Sequence, residues 1–261
     1  MDQHLHTTLS ADGESTMEEM CARALELGMR HICFTEHIDY GHPQSDAFTL
    51  DYAAYDAQLA RCRERFPELF IGKGVEAGVL PATAAQTAAD VAAQRFDLVI
   101  GSLHVVDGID PYYPEFYQGR DRRECLRRYV ENLARLPELL PDFDILSHIG
   151  YVTKFAPFAN QPLEYEEFPE ALDQLLRGLI QRGQGLEVNT SGYNVSSAPF
   201  PTPSILRRYR QLGGELVTLS SDAHSTAKLG QHFNRARALL RELGFTHIAL
   251  YRQRQPQCVA I

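Results

Sequence analysis

A short apolar run that stops at Gly, Ser, Asp or His and gives way to a longer stretch with helical spacing recurs along the whole sequence. That rhythm constrains the fold more than any other feature of the chain. The runs are DQHLH (2–6), HICFTEH (31–37), LFIGKGVEAG (69–78), FDLVIGSLH (96–104), DFDILSHIG (142–150), GLEVNTSG (185–192), LVTLSSDAH (216–224) and THIALYR (246–252). Strands alternating with helices predict a parallel sheet, and eight such units predict an α/β barrel. A length of 261 residues, set against roughly 150 per domain, favours one large domain over 1–261.

The intervening helices show themselves by their stripes. Ser15-Thr16-Met17-Glu18 reads as a capping box, followed by Met20, Cys21, Ala24 and Leu25 on one face and a stop at Gly28. Tyr52, Tyr55, Leu59, Cys62 and Phe66 repeat the spacing, as do Phe168, Ala171, Leu172, Leu175 and Leu179, and then Phe233, Ala236, Leu240 and Leu243. These faces are predicted to point into the core and carry no functional reading. The irregular segments 38–50, 105–121, 153–165 and 192–203 follow strands, where α/β barrels place their active sites.

Composition narrows the function classes. The chain is 44% apolar and 23% charged, the balance of a globular protein with a core. Its formal net charge of −9 argues against a partner held by phosphate-backbone contacts, so nucleic acid is not expected. No stretch approaches the ~20 apolar residues of a membrane span and the opening MDQHLH lacks a signal-peptide pattern, so a cytoplasmic protein is expected. The five cysteines form no CxxC and read as free, mostly buried thiols.

Six of the ten histidines, His4, His6, His37, His104, His148 and His224, fall at or near the end of a strand. Glu76, Asp222 and Asp12 share that placement, although Asp12 before Gly13 also reads as a plain turn. Residues two apart on a strand face the same side, so His4 and His6 can serve one ion. Any one histidine is explained as well by an ordinary buried imidazole. Six together are not, because a dry cluster of titratable groups is costly to bury without a cation to satisfy it. Imidazole and carboxylate are the donors that Zn²⁺, Mn²⁺ and Fe²⁺ prefer. His31, His232 and His247 lack the placement and are read as structural; His42 lies in a loop above the barrel.

The segments DQHLHTTLSADG, FTEHIDYG, GVEAG, GSLHVVDG, LSHIGY, EVNTSG and LSSDAH, in that order, resemble the PHP (polymerase and histidinol phosphatase) metal-dependent hydrolases, and within them the histidinol-phosphate phosphatases. The resemblance covers nearly the whole chain. It implies a distorted barrel of seven strands, with THIALYR outside it, and three divalent transition-metal ions. Carried over by position, His4, His6, Glu76 and Asp222 would hold the first ion, Glu76, His104 and His148 the second, and Asp12, His37 and His224 the third. Asp12 stands where some relatives have histidine. Three divalent ions and three carboxylates leave the centre about +3, so an anion is drawn to the pocket rather than to the acidic surface. Two ions sharing Glu76 would bring a bridging water towards neutral pKa and make hydroxide available for in-line attack on phosphorus, with Asp222 and His224 close to the reacting group.

The expected substrate is L-histidinol phosphate, hydrolysed to L-histidinol and phosphate. With lysine present only at 73, 154 and 228, Lys154 is the expected phosphate clamp, and Arg120 and Arg122 are alternatives. Recognition of a cationic amino alcohol is expected from Asp107, Asp110, Glu115 and Tyr117, with His42 and Asn189 as further contacts. Another small phosphate ester, a nucleotide or a nucleic-acid end is the alternative substrate, the last disfavoured by the acidic chain. A binding module with structural metals is disfavoured too, because structural sites close with four protein ligands while the second and third sets here have three each.

Overall fold

A computed structural model describes residues 1–43, 47–158 and 161–261, so parts of the predicted loops 38–50 and 153–165 lie outside the described residues. Seven strands, β1 (Asp2–Leu5), β2 (His31–Ile38), β3 (Phe70–Gly78), β4 (Leu98–Ser102), β5 (Ile145–Leu146), β6 (Gly185–Asn189) and β7 (Val217–Ser220), pair in parallel in chain order. Leu5 bridges Ala223 in parallel, and the His6 N–H donates to the Ala223 carbonyl at 3.0 Å. The first strand therefore meets the last and the barrel is nearly closed. The strands read as runs buried on both faces, as expected where helices cover a parallel sheet; every residue of β2 is buried.

The helices are α1 (Met17–Glu26), α2 (Tyr52–Arg65), α3 (Ala84–Ala93), α4 (Arg122–Leu133), α5 (Leu136–Leu139), α6 (Pro169–Arg182), α7 (Pro203–Gln211) and α8 (Phe233–Glu242). The stripe of α6 buries Leu172, Leu175, Leu176 and Leu179, each adding about 1.5–3 kcal/mol by leaving water. The capping box of α1 is shifted one residue from its expected place. Thr16 is the cap and its partner is Glu19, whose carboxylate accepts from the Thr16 N–H at 2.8 Å. An S/T-x-x-E frame puts the acid three residues after the cap, and counting from Ser15 misplaces it.

The eighth run does not join the barrel. β8 (His247–Arg252) pairs antiparallel with β9 (Gln255–Ala260). Gln253 and Arg254 turn the chain with φ of 49° and 61°, the left-handed pair that a two-residue hairpin loop requires. Gln3 of β1 pins this hairpin, donating to the Ala249 carbonyl and accepting from the Tyr251 N–H at 2.8 Å. Ala249 and Tyr251 then pack on Cys33, Leu98, Ile100 and Ile145. β9 escaped the sequence reading because Gln-Pro-Gln-Cys-Val-Ala is mostly exposed and carries no burial pattern. All five thiols are free; four are buried and Cys258 is exposed. Among the described residues no helix is long and apolar enough to cross a membrane.

Candidate metal centre and cavity

Parallel register fixes the floor of the site. β2 and β3 pair His37 with Glu76, and β3 and β4 pair Gly78 with Ser102, so the strand ends line up side chains at one level. His4 and His6, two apart at the end of β1, bring their Nε2 atoms to 3.0 Å from each other. Glu76 Oε2 lies 3.0 Å from His4 Nε2 and 3.3 Å from His6 Nε2, and Asp222 Oδ1 lies 3.7 and 3.6 Å from the same two nitrogens. Four donors around a tetrahedral ion with bonds of about 2.0–2.2 Å stand roughly 3.3–3.6 Å apart. These four have that spacing.

Glu76 uses its other oxygen elsewhere. Oε1 lies 3.1 Å from His104 Nε2 and 2.9 Å from His148 Nε2, and it accepts from Ser102 Oγ at 2.7 Å. The carboxylate is thus split between two pairs of imidazoles. Asp12 Oδ2 lies 3.2 Å from His224 Nε2 and 3.7 Å from His37 Nε2. Asp12 reaches them from a tight turn in which Ser10 N–H donates to Thr7 O at 2.9 Å and Gly13 N–H to Ser10 O at 3.1 Å. A Cβ at Gly13 would come within 1.8 Å of the Thr7 carbonyl, so only glycine lets the turn fold back. The turn reading of Asp12 and its place beside two imidazoles are both correct.

The electrostatics fit a cation. Burial alone would raise the Glu76 carboxyl, but His4, His104 and His37 hold it well below the usual range. Burial likewise opposes ionisation of Asp222, and Lys154 and His4 overcome it. Burial, with His37 and His224 beside it, pushes His6 well below an ordinary imidazole, which keeps a lone pair available. His37 Nδ1 and Asp39 Oδ2 are buried without a hydrogen-bond partner. Buried orphans of this kind call for an explanation. Three groups of donors, His4 with His6 and Asp222, His37 with Glu76 and His104, and His6 with His37 and His224, each lie close enough to hold one ion. The residues present fit divalent metals.

Two buried carboxylates that the sequence reading left unassigned support this floor. Glu187 accepts from His4 Nδ1 at 2.5 Å, from the His148 N–H at 2.8 Å, from the Asn189 amide at 3.0 Å and from Ser220 Oγ. Asp39 lies 2.7 Å from His104 Nδ1. A third, Glu36, accepts from Thr7 and from Ser10 Oγ at the start of the Asp12 turn. The available signal was an acid inside an apolar strand, as in GLEVN and HICFTEHI, since such a group is buried only when paired.

Above the floor opens a cavity of about 330 Å³, lined among others by Asp12, His37, His42, Phe48, Asp110, Tyr112, Tyr151, Lys154 and Phe155. Lys154 Nζ stands 3.4 Å from Asp222 Oδ2 and lies over the Tyr151 and Phe155 rings. Asp110 is buried on the wall. Its Oδ1 accepts from the Tyr112 N–H at 2.8 Å and the Tyr151 hydroxyl at 3.2 Å, and its Oδ2 lies 3.2 Å from His42 Nε2.

Several expected contacts lie elsewhere. Arg122 is a bidentate partner of Glu167, and Arg120 donates to the Phe116 carbonyl at the start of α4. Asp107 is held outside the cavity by Arg128 at 2.6 Å and Asn132 at 3.0 Å on α4. Glu115 is exposed in a short 3₁₀ turn, and the Tyr117 hydroxyl is used on the Pro111 and Val152 carbonyls at 2.9 and 2.7 Å. Asn189 is buried beneath the floor, where it serves Glu187 and Ser191. These loop charges satisfied nearby helix partners first, which spacing in the sequence does not reveal. His31 begins β2, His232 caps α8 and His247 is exposed on β8, all away from the cavity.

Comparison with known proteins agrees with the architecture. The chain is 27% identical over 253 residues to a histidinol-phosphatase of Lactococcus lactis subsp. lactis, covering 96% of this chain and 94% of that protein. It is 29% identical over 269 residues to a protein of Deinococcus radiodurans named probable histidinol-phosphatase, with 98% of each covered. The crystal structure of the Lactococcus lactis histidinol phosphate phosphatase, complexed with zinc, L-histidinol and phosphate, superposes with a TM-score of 0.90 at 26% identity over 98% of both chains. The family profile described as PHP domain matches residues 2–191, which takes in His4, His6, Asp12, His37, Glu76, His104 and His148. With that match over most of its length, and with the strand-end histidines gathered as the fold requires, the chain belongs to the PHP domain family.

Proposed function

We propose that this protein is a metal-dependent phosphomonoesterase that hydrolyses L-histidinol phosphate to L-histidinol and phosphate. The observation that carries the reading is the full-length fit to the Lactococcus lactis enzyme solved with zinc, L-histidinol and phosphate, joined to a cavity here with donors at its floor and one ammonium and one carboxylate on its wall. His4, His6, Glu76 and Asp222 would hold one ion, Glu76, His104 and His148 a second, and Asp12, His37 and His224 a third. Bound there, divalent ions supply Lewis-acid polarisation of phosphoryl oxygens and a water acidic enough to act near neutral pH.

The chain's own residues do the rest. Lys154, charged beside Asp222 and held over two aromatic faces, offers an ammonium to the phosphate from the cavity side. Asp110, the one acid of the 107–117 segment lining the cavity, faces the cationic end of the amino alcohol. Tyr112, Tyr151 and Phe155 form an aromatic wall against which an imidazole ring can lie, with Tyr112 and Phe155 centroids 4.9 Å apart. The test is phosphate release from histidinol phosphate, nucleoside monophosphates and sugar phosphates by protein reconstituted with Zn²⁺, Mn²⁺ or Fe²⁺. A kcat/KM for histidinol phosphate at least tenfold above every other ester supports the assignment. A higher value for a nucleotide or sugar phosphate overturns it in favour of another small phosphate ester.

A further inference from the structure

We propose that Asp39 is a positioning residue that backs two candidate ligand histidines at once, His104 through Oδ1 and His37 through Oδ2, and thereby couples the second metal site to the third. The inference rests on the metal-dependent reading of the site and adds a coupling that the three ligand sets alone do not contain.

Asp39 directly follows β2, two residues after His37, and its side chain is only 5% exposed. Oδ1 lies 2.7 Å from His104 Nδ1, so the Nε2 of that ring is left facing Glu76 Oε1 at 3.1 Å. Oδ2 is buried with no hydrogen-bond partner, and so is His37 Nδ1, 3.6 Å away. The same nitrogen is 3.2 Å from Glu76 Oε2 but makes no hydrogen bond to it. Two buried polar atoms, an acceptor and a ring nitrogen, thus face one another a few tenths of an ångström beyond hydrogen-bond reach. A small inward movement of the His37 ring pairs them. With Nδ1 committed as the donor to Asp39, His37 presents Nε2 towards Asp12 and His224, whose contacts with it define the third site.

The carboxylate is placed there deliberately by the backbone. The Asp39 N–H donates to the Phe48 carbonyl at 2.8 Å, and the Asp39 carbonyl accepts from the His42 N–H at 3.1 Å, so both of its main-chain groups are anchored. Across the strand pair, a Cβ at Gly78 would come 1.7 Å from Asp39 Oδ1. Glycine at the end of β3 therefore leaves the space that the carboxylate fills. Such an outer carboxylate fixes the tautomer and orientation of a ligand imidazole, and losing one weakens metal binding by about 10- to 100-fold. Here one carboxylate serves two rings that belong to different sites. Glu187, which holds His4 of the first site and the His148 main chain of the second, leaves His37 untouched and provides the contrast.

The experiment is equilibrium dialysis of Zn²⁺, followed by Co²⁺ absorption, on the full chain as wild type, Asp39→Asn and Glu187→Gln, with circular dichroism and thermal unfolding to establish folding. Asp39→Glu serves as the second variant should Asp39→Asn fail to fold. The wild type is expected to bind more than two ions per chain. Asp39→Asn is expected to lose two of them together, each weakened about 10- to 100-fold, and to keep the remaining one. Glu187→Gln is expected to retain the third-site ion and its cobalt bands. Loss of only the ion held by His104, or no loss, by folded Asp39 variants refutes the coupling. A wild type that binds no ion refutes the metal reading itself, which separates the two failures.

Discussion

Neutralising Asp110 should change which substrate the enzyme prefers rather than how well it handles phosphate. Asp110→Asn keeps an oxygen for the Tyr112 N–H and the Tyr151 hydroxyl, so the wall keeps its shape. What is lost is the negative charge on the oxygen that faces His42 and the cavity. One charge-assisted hydrogen bond to a substrate cation contributes about 1.5–3 kcal/mol, which is roughly a ten- to hundredfold change in kcat/KM. The assay compares kcat/KM for histidinol phosphate with that for p-nitrophenyl phosphate, a phosphate ester with no cation to read. The ratio should fall by that factor in Asp110→Asn. It should stay unchanged in Asp107→Asn and Glu115→Gln, because Asp107 is spent on Arg128 and Asn132 and Glu115 faces solvent. An unchanged ratio in Asp110→Asn would show that this carboxylate does not read the amino alcohol.

Glu76→Gln should abolish nearly all turnover while the fold survives, since an amide cannot offer two anionic oxygens to the His4–His6 and His104–His148 pairs; wild-type phosphate release by the folded variant would refute the shared role. Lys154→Met should weaken every phosphomonoester alike, leaving the ratio of the two substrates unchanged, because an ammonium that meets phosphate is blind to the alcohol. Acid stability should depend on His31, which burial and Arg252 hold down at about 4. An unfolded imidazole takes up its proton near pH 6.5, so the wild type should lose up to about 2–3 kcal/mol as pH falls from 6.5 to 4, and His31→Phe should be spared that share. Urea midpoints at pH 7.5 and 5 measure it, and parallel losses in the two proteins would exclude His31 as the cause.

The rhythm of apolar runs was legible because parallel strands covered by helices leave little else for such a sequence to do. Seven of the eight runs contain the seven barrel strands, although 142–150 shrank to Ile145–Leu146 as Ser147 and His148 leave the ladder for the site. The last run misled the count because burial in a hairpin looks the same in sequence as burial in a barrel. At the site, the placement of histidines at strand ends pointed to the residues that the fold gathers, since parallel strands deliver all their ends to one rim. The wall of the cavity was far less legible. Whether an arginine or an acid in a loop meets substrate depends on which helix partner lies nearer, and Arg122 with Glu167 is 45 residues apart in sequence. Asp110 and Lys154 were picked from lists in which their neighbours had the same composition and a different fate.

The seam between β1 and β7 makes the donor cluster a fastener of the whole ring. Asp2 accepts from the Ser221 N–H at 3.0 Å across 219 residues, and His4 and His6 meet Asp222 a step further along the same seam. Bringing ends that far apart together costs about 5 kcal/mol of chain entropy by the logarithmic loop law, yet the ladder there is one bridge long, between Leu5 and Ala223. Folding must therefore complete this joint late, after the local βα pairs have formed. Stripping cations from the floor should loosen the joint before it loosens the continuous β2–β3 ladder. In hydrogen exchange the His6 amide, bonded to Ala223, would then lose protection on chelation while the amide of Val75, deep in β3, keeps its own.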